Sequence, residues 1–303
     1  MTGQNARQPP VALPFDPNPR PPSWKLPANS CDTHIHVFGP PNIFPYAADR
    51  RYEPPAAPVE YYFAMQKITG LERAIAVQPT AHGTDNSAIL DAIAKAGGRM
   101  KGIANIDENT TDRELARLKA GGVVGARFSL MADRAGSQSA IEHALPRMQE
   151  LGWVLNLHVD PENFLAHEKF IRSLTLPVVI DHMARCDPRK GVNQPAFRFL
   201  LDLLQQDNFW TKICSISKLT ANPQASRQGT IPYADMIPLA EAVVAAAPAR
   251  TVWGSDWPHG NTFDLGTVPN DGVLLDFLGA AVPDDALRHA ILVSNPARFF
   301  GFD

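Results

Sequence analysis

The sequence predicts a (β/α)8 barrel, and three observations predict it. Eight short apolar runs rich in β-branched residues recur along the chain. Each is followed by a longer segment with helical spacing. After the first run comes GPPNIFPY, a proline-broken loop, where a doubly wound open sheet would place a glycine-rich phosphate turn. A length of 303 residues suits one such barrel, which takes roughly 250 residues plus insertions.

The elements follow in order. Residues 1–29 read as an extended arm: Pro9, Pro10, Pro14, Pro17, Pro19, Pro21 and Pro22 remove backbone donors and fix φ, while Trp24 and Leu26 give its end something to pack. The barrel then occupies 30–303. Its strands are predicted at 30–38, 73–80, 100–106, 123–130, 153–159, 177–183, 208–214 and 251–258. NSAILDAIAKAGG, DRELARLKAGG, AIEHALPRMQELG, FRFLLDLLQQ and MIPLAEAVVAAAP supply helices between them, several closing on the glycine that best tolerates a left-handed stop. Segment 39–57 becomes a long first loop, on the face where barrels place their active sites.

Composition narrows the function. A net charge of -3 gives no support to a nucleic-acid partner or an anionic membrane surface. Cys31, Cys186 and Cys214 are an odd, sparse set without CxxC spacing, which argues against a disulfide framework and for a reducing compartment. There is no apolar run of about 18 residues and no signal-like N-terminus, so a cytoplasmic protein, monomer or homodimer, is expected.

The chemistry-bearing residues fall at strand ends. His34 and His36, two apart in a strand, point to one face. His158 ends the fifth strand, His182 the sixth and Asp256 the eighth, so four histidines and a carboxylate are expected on one rim. A lone strand histidine is more often a satisfied core or surface residue; the clustering carries the argument. Neutral imidazole is the commonest metal ligand, and His34, His36, His158 and Asp256 would suit one divalent ion, zinc first and manganese second. Without a metal, Asp256 would deprotonate water while His34, His36 and His182 polarise a carbonyl.

CDTHIHVFGP with FPY and RRY behind it, VVIDHMAR, WTK and VWGSDWPH resemble the 2-pyrone-4,6-dicarboxylate lactonase branch of the amidohydrolase superfamily, over essentially the whole chain from residue 30. The resemblance implies a (β/α)8 barrel that opens a lactone ring in a small anionic substrate. It implies a strand-one pair at His34 and His36, a strand-six histidine at His182 and a water-activating aspartate at Asp256. It also implies substrate contacts at Tyr52 and Arg127, the latter a fork for a carboxylate. Three positions depart from the pattern. His158 stands where the metal-free pyrone lactonases have tyrosine, as in metal-using relatives. Asp133 takes the place of a second arginine, with Arg134 following, and Lys218 replaces an arginine.

Thr80, His82 and Arg185 are further substrate-binding candidates, with Thr84 and Asp85 as loop caps and Asp187 as an alternative partner for Arg185. His259 is expected to brace the eighth loop and Trp257 to wall the pocket. His143, His167 and His289 read as surface residues, Cys186 and Cys214 as packing. A metal-dependent decarboxylase, a lactone isomerase and a barrel kept for binding alone remain alternatives on the same scaffold.

Overall fold

The computed structural model describes residues 9–131, 137–223 and 231–302. Arg134 and Asp133 lie outside the described residues. Eight parallel strands run in the order β1 to β8: β1 (Cys31–Ile35), β2 (Arg73–Val77), β3 (Met100–Ala104), β4 (Val123–Ser129), β5 (Val154–His158), β6 (Val178–Ile180), β7 (Phe209–Ile213) and β8 (Thr251–Trp253). Helices alternate with them: α1 (Val59–Thr69), α2 (Ser87–Ala96), α3 (Asp112–Ala120), α4 (Gln138–Leu151), α5 (Pro161–Ala166), α6 (Glu168–Arg172), α7 (Pro195–Leu203), α8 (Ile216–Leu219), α9 (Ile237–Ala246) and α10 (Asp271–Ala281). This is the (β/α)8 barrel.

Local chemistry sets the helix limits. Thr111, Ser137, Asp160 and Asn270 each accept a backbone N–H at the start of a helix, satisfying donors that have no partner within it. Gly70, Gly97 and Gly152 take the left-handed stop. Among the described residues no helix is long and apolar enough to cross a membrane.

The inside of the barrel is layered, because side chains two apart on a strand share a face. At the N-terminal end Ile75, Ile103, Val154, Val179, Trp210 and Val252 form an apolar plug, capped by Phe299, Phe300 and Phe302. One step up, the same strands carry Asn156, Asp181 and Lys212. One step further come His158 and Cys214, at the C-terminal mouth. A larger apolar layer fills the space between sheet and helices.

Closure between β8 and β1 is made past the end of β8. Ile35 bridges Trp257, the Asp256 N–H donates to the His34 carbonyl at 2.9 Å, and the His36 N–H donates to the Trp257 carbonyl at 2.7 Å. Gly254 permits this approach, since a Cβ there would lie 2.7 Å from the His34 Cβ. Asp32, wholly buried, completes the weld by accepting from Ser255 N at 2.9 Å, Ser255 Oγ at 2.5 Å and His34 N at 3.1 Å. Burial pushes its carboxyl up to about 7.

The arm lies against the barrel. Val11 bridges Glu53, Leu13 N–H donates to the Thr262 carbonyl at 2.7 Å, and Trp24 Nε1 donates to Leu275 O at 3.0 Å. Prolines leave few arm donors, and Ala12, Leu13, Arg20, Ser23 and Trp24 place theirs on the first loop, the eighth loop and α10 with its cap.

Candidate active site

All eight predicted strands run past the observed ends, and at β6 and β8 the difference places chemistry. β6 stops at Ile180, and His182, Met183, Ala184 and Arg185 follow with φ of 54°, 51°, 54° and 54°. β8 stops at Trp253, and Asp256 has φ 69°. Left-handed backbone at residues with a Cβ is costly and persists only where surroundings fix it. Here it turns His182 and Asp256 into the barrel mouth, where both line a cavity of about 450 Å3.

The middle layer beneath that cavity is charged. Lys212 and Asp181 are both fully buried with Nζ and Oδ1 3.2 Å apart. Lys212 Nζ also donates to Asn156 Oδ1 at 2.5 Å, and Asn156 Nδ2 donates to Asp181 Oδ2 at 2.6 Å. Arg127 Nε stands 3.4 Å from Asp181 Oδ2. Burial alone would raise the Asp181 carboxyl; the Lys212 ammonium holds it well below the usual range. His34 rests on this layer, its Nδ1 3.3 Å from Asp181 Oδ1 and 3.1 Å from Lys212 Nζ.

Proton placement in the top layer follows from these contacts. Burial pushes His34 down to about 3 and lowers His36 and His182, so all three rings are neutral at pH 7. His36 Nδ1 faces the Val77 carbonyl at 2.7 Å; a carbonyl only accepts, so the ring proton sits on Nδ1. His36 Nε2 therefore presents a lone pair, 3.5 Å from Asp256 Oδ1. His34 Nε2 lies 3.9 Å from the same oxygen. His34 Nε2 is buried with no hydrogen-bond partner among the described residues. The His36 lone pair and the Asp256 oxygen facing one point call for something electron-poor between them, either a cation or the hydrogens of a water.

The two oxygens of Asp256 have separate tasks. Oδ2 is tied down, accepting from Ser215 Oγ at 2.9 Å and Lys218 Nζ at 2.8 Å, while Lys218 also donates to the Gly260 carbonyl at 2.5 Å. Oδ1 is aimed at His34 and His36. Burial would raise this carboxyl, but the Lys218 ammonium holds it well below the usual range. It is an ionised carboxylate with one oxygen anchored.

The ligand atoms of His34, His36 and Asp256 all lie within 4.8 Å of one another. Two nitrogens and a carboxylate oxygen are a donor set that zinc accepts. His158 is not among these three. It follows Asn156 at the mouth of β5, its ring centroid 5.5 Å from that of His182, and lines the cavity.

Of the expected substrate contacts, Tyr52, Thr80, Arg127, Arg185 and Lys218 line the cavity with His36, His158, His182 and Asp256. Arg189, not Arg185, takes Asp187, with Nη2 to Oδ2 at 2.8 Å. His82 does not reach the cavity: its Nδ1 faces the Pro45 carbonyl at 2.9 Å and its ring stacks on Phe38, so it braces the first loop. Trp257 does not wall the pocket either. It is fully buried against Phe15 of the arm and Tyr62 of α1, with centroids 5.0 and 5.4 Å away. His259 pairs with buried Asp271 at 3.1 Å and ties the eighth loop to α10. His143 and His289 are exposed, and His167 is half-buried. Burial pushes the Cys186 thiol up to about 12 and raises Cys214 well above its usual value, which does not suit a nucleophile.

Reading the sequence missed Asp32, Asn156, Asp181, Lys212 and Ser215. One signal was there: Asn156, Asp181 and Lys212 are polar residues inside apolar runs, each followed by a rim residue, His158, His182 or Cys214.

The chain belongs to the amidohydrolase family, whose model matches residues 31–302. It is 41% identical over 283 residues to a 4-sulfomuconolactone hydrolase of Rhizobium radiobacter, covering 92% of each chain. It is 36% identical over 288 residues to a 2-pyrone-4,6-dicarboxylate hydrolase of Comamonas testosteroni, covering 93% of each. The apo crystal structure of an Agrobacterium tumefaciens protein superposes with a TM-score of 0.79 at 28% identity, covering 93% of this chain and 99% of that one.

Proposed function

We propose that this chain hydrolyses the lactone ring of a small anionic compound, with Asp256 as the base that takes a proton from the attacking water. The observation that carries the reading is the division of Asp256 into an anchored oxygen and one aimed at His34 and His36, beside cationic Arg127, Arg185 and Lys218 in one cavity. Names of relatives at 41% and 36% identity support the substrate class.

The steps balance on these residues. Water gives one proton to Asp256 Oδ1 as its oxygen bonds to the lactone carbonyl carbon. His182 and Arg185, which line the cavity, face the oxyanion, while the His36 Nε2 lone pair accepts from the attacking water. The ring C–O bond then breaks, Asp256 returns the proton to the departing ring oxygen, and the new carboxylic acid ionises to release one proton per turnover. Arg127 supplies a planar fork for a carboxylate or sulfonate on the substrate, and Tyr52 and Thr80 supply hydroxyls around it.

His34, His36 and Asp256 would hold a divalent ion, zinc first and manganese second. Such an ion would polarise the carbonyl and lower the pKa of water.

The test is a pH-indicator screen of muconolactones and pyrones bearing carboxylate or sulfonate groups, with metal analysis of the same preparation. Proton release matched by loss of the lactone is the expected result. An isomeric product with no net proton, or carbon dioxide release, would replace hydrolysis by isomerisation or decarboxylation.

A further inference from the structure

A second cluster beside the proposed base has a different chemical character. One ring nitrogen each of His34 and His182 and the sulfur of Cys214 lie within 4.8 Å of one another, all three residues buried. Cys214 is the next inward position above Lys212, which brings its sulfur to the level of the histidines. The His34 and His182 rings are 4.7 Å apart between centroids. His34 Nε2 and His182 Nδ1 are buried with no hydrogen-bond partner among the described residues, a costly state for polar atoms unless a ligand meets them. None of the steps above uses Cys214.

We propose that Cys214, His34 and His182 form a seat for a thiophilic metal ion, separate in ligand set from His34, His36 and Asp256. A thiolate with two imidazoles favours soft and borderline ions such as cadmium, mercury, copper(I) or zinc over manganese or magnesium. Tetrahedral zinc with sulfur and nitrogen ligands holds them roughly 3.5 Å apart, so the cluster closes by no more than about an ångström on binding. Ligation displaces the thiol proton to solvent and leaves the sulfur as thiolate.

The two seats exclude each other. Both draw on His34, whose Nδ1 is taken up by Asp181 and Lys212, leaving Nε2 alone for a metal. An ion on Cys214 therefore withdraws His34 from the partnership with His36 and Asp256. This inference does not depend on which reaction the site performs, and its failure would leave the lactone reading standing.

The experiment is titration of metal-free protein with cadmium chloride, followed by the ultraviolet sulfur-to-cadmium charge-transfer band and by cadmium-113 NMR. We expect a band that saturates at one cadmium per chain, is lost in Cys214→Ala and persists in Cys186→Ala. The cadmium resonance should fall in the range for one sulfur ligand, a reading on the unaltered chain that stands even if Cys214→Ala does not fold. No cadmium uptake, uptake without the band, a band that survives Cys214→Ala, or a resonance for nitrogen and oxygen ligands only would overturn the proposal.

Discussion

At the scale of single residues, the site works by taking choices away from side chains. The Val77 carbonyl leaves His36 one tautomer. Ser215 and Lys218 leave Asp256 one free oxygen. Lys218→Met should therefore lower kcat about tenfold to a hundredfold, the worth of a charge-assisted hydrogen bond of about 1.5–3 kcal/mol, and Lys218→Arg should recover part of it. Steady-state kinetics of the two variants decide this; unchanged kcat in Lys218→Met would show that Asp256 needs no anchor. Residue types at this scale were legible: the histidines and Asp256 stand out in the sequence as polar groups at the ends of apolar runs. His82 and Trp257 misled because sequence places them beside the motif without saying which way they face.

At the scale of elements, strand alternation builds the site in layers, and the charged middle layer has to be complete to be tolerable. Two fully buried charges cost several kcal/mol each to desolvate, so losing one strands the other. Asp181→Asn should cost about 3–5 kcal/mol in denaturant unfolding, and adding Lys212→Met should return part of that loss. Additive losses would mean that the two do not act as a pair. Gly254→Ala tests the weld between β8 and β1: the new Cβ meets backbone and Cβ of His34, which cannot yield cheaply, so it should destabilise by about 1–3 kcal/mol. A neutral effect there would contradict the close approach. Strand count and order were legible from periodicity, because period two and period 3.6 are local properties. The ends of β6 and β8 were not, since a left-handed turn at His182 or Asp256 is imposed by packing against other strands and has no glycine to announce it.

At the scale of the whole molecule, three buried neutral histidines tie stability to pH. His34, His36 and His182 all have folded pKa values lowered by burial, while in the unfolded chain they titrate near 6.5. Below that value the unfolded state binds protons that the folded state refuses, so stability is lost as pH falls. Urea midpoints measured at pH 7 and pH 5 should be lower at pH 5. Asp32, raised to about 7, works in the opposite direction over this range, but it is one group against three. Equal or higher midpoints at pH 5 would therefore contradict three neutral rings. The fold class was legible because eight repeats of one local pattern admit few architectures. The spacing of the candidate donors was not, because only the closed barrel brings β1 next to the turn after β8.

The most direct measurement is turnover by Asp256→Asn on a lactone that the unaltered protein hydrolyses, with circular dichroism to verify folding. Asparagine keeps the shape and cannot take a proton, so the rate should fall about a hundredfold to ten-thousandfold in a folded protein. A folded variant with near-normal turnover would contradict the assignment of Asp256 as the base.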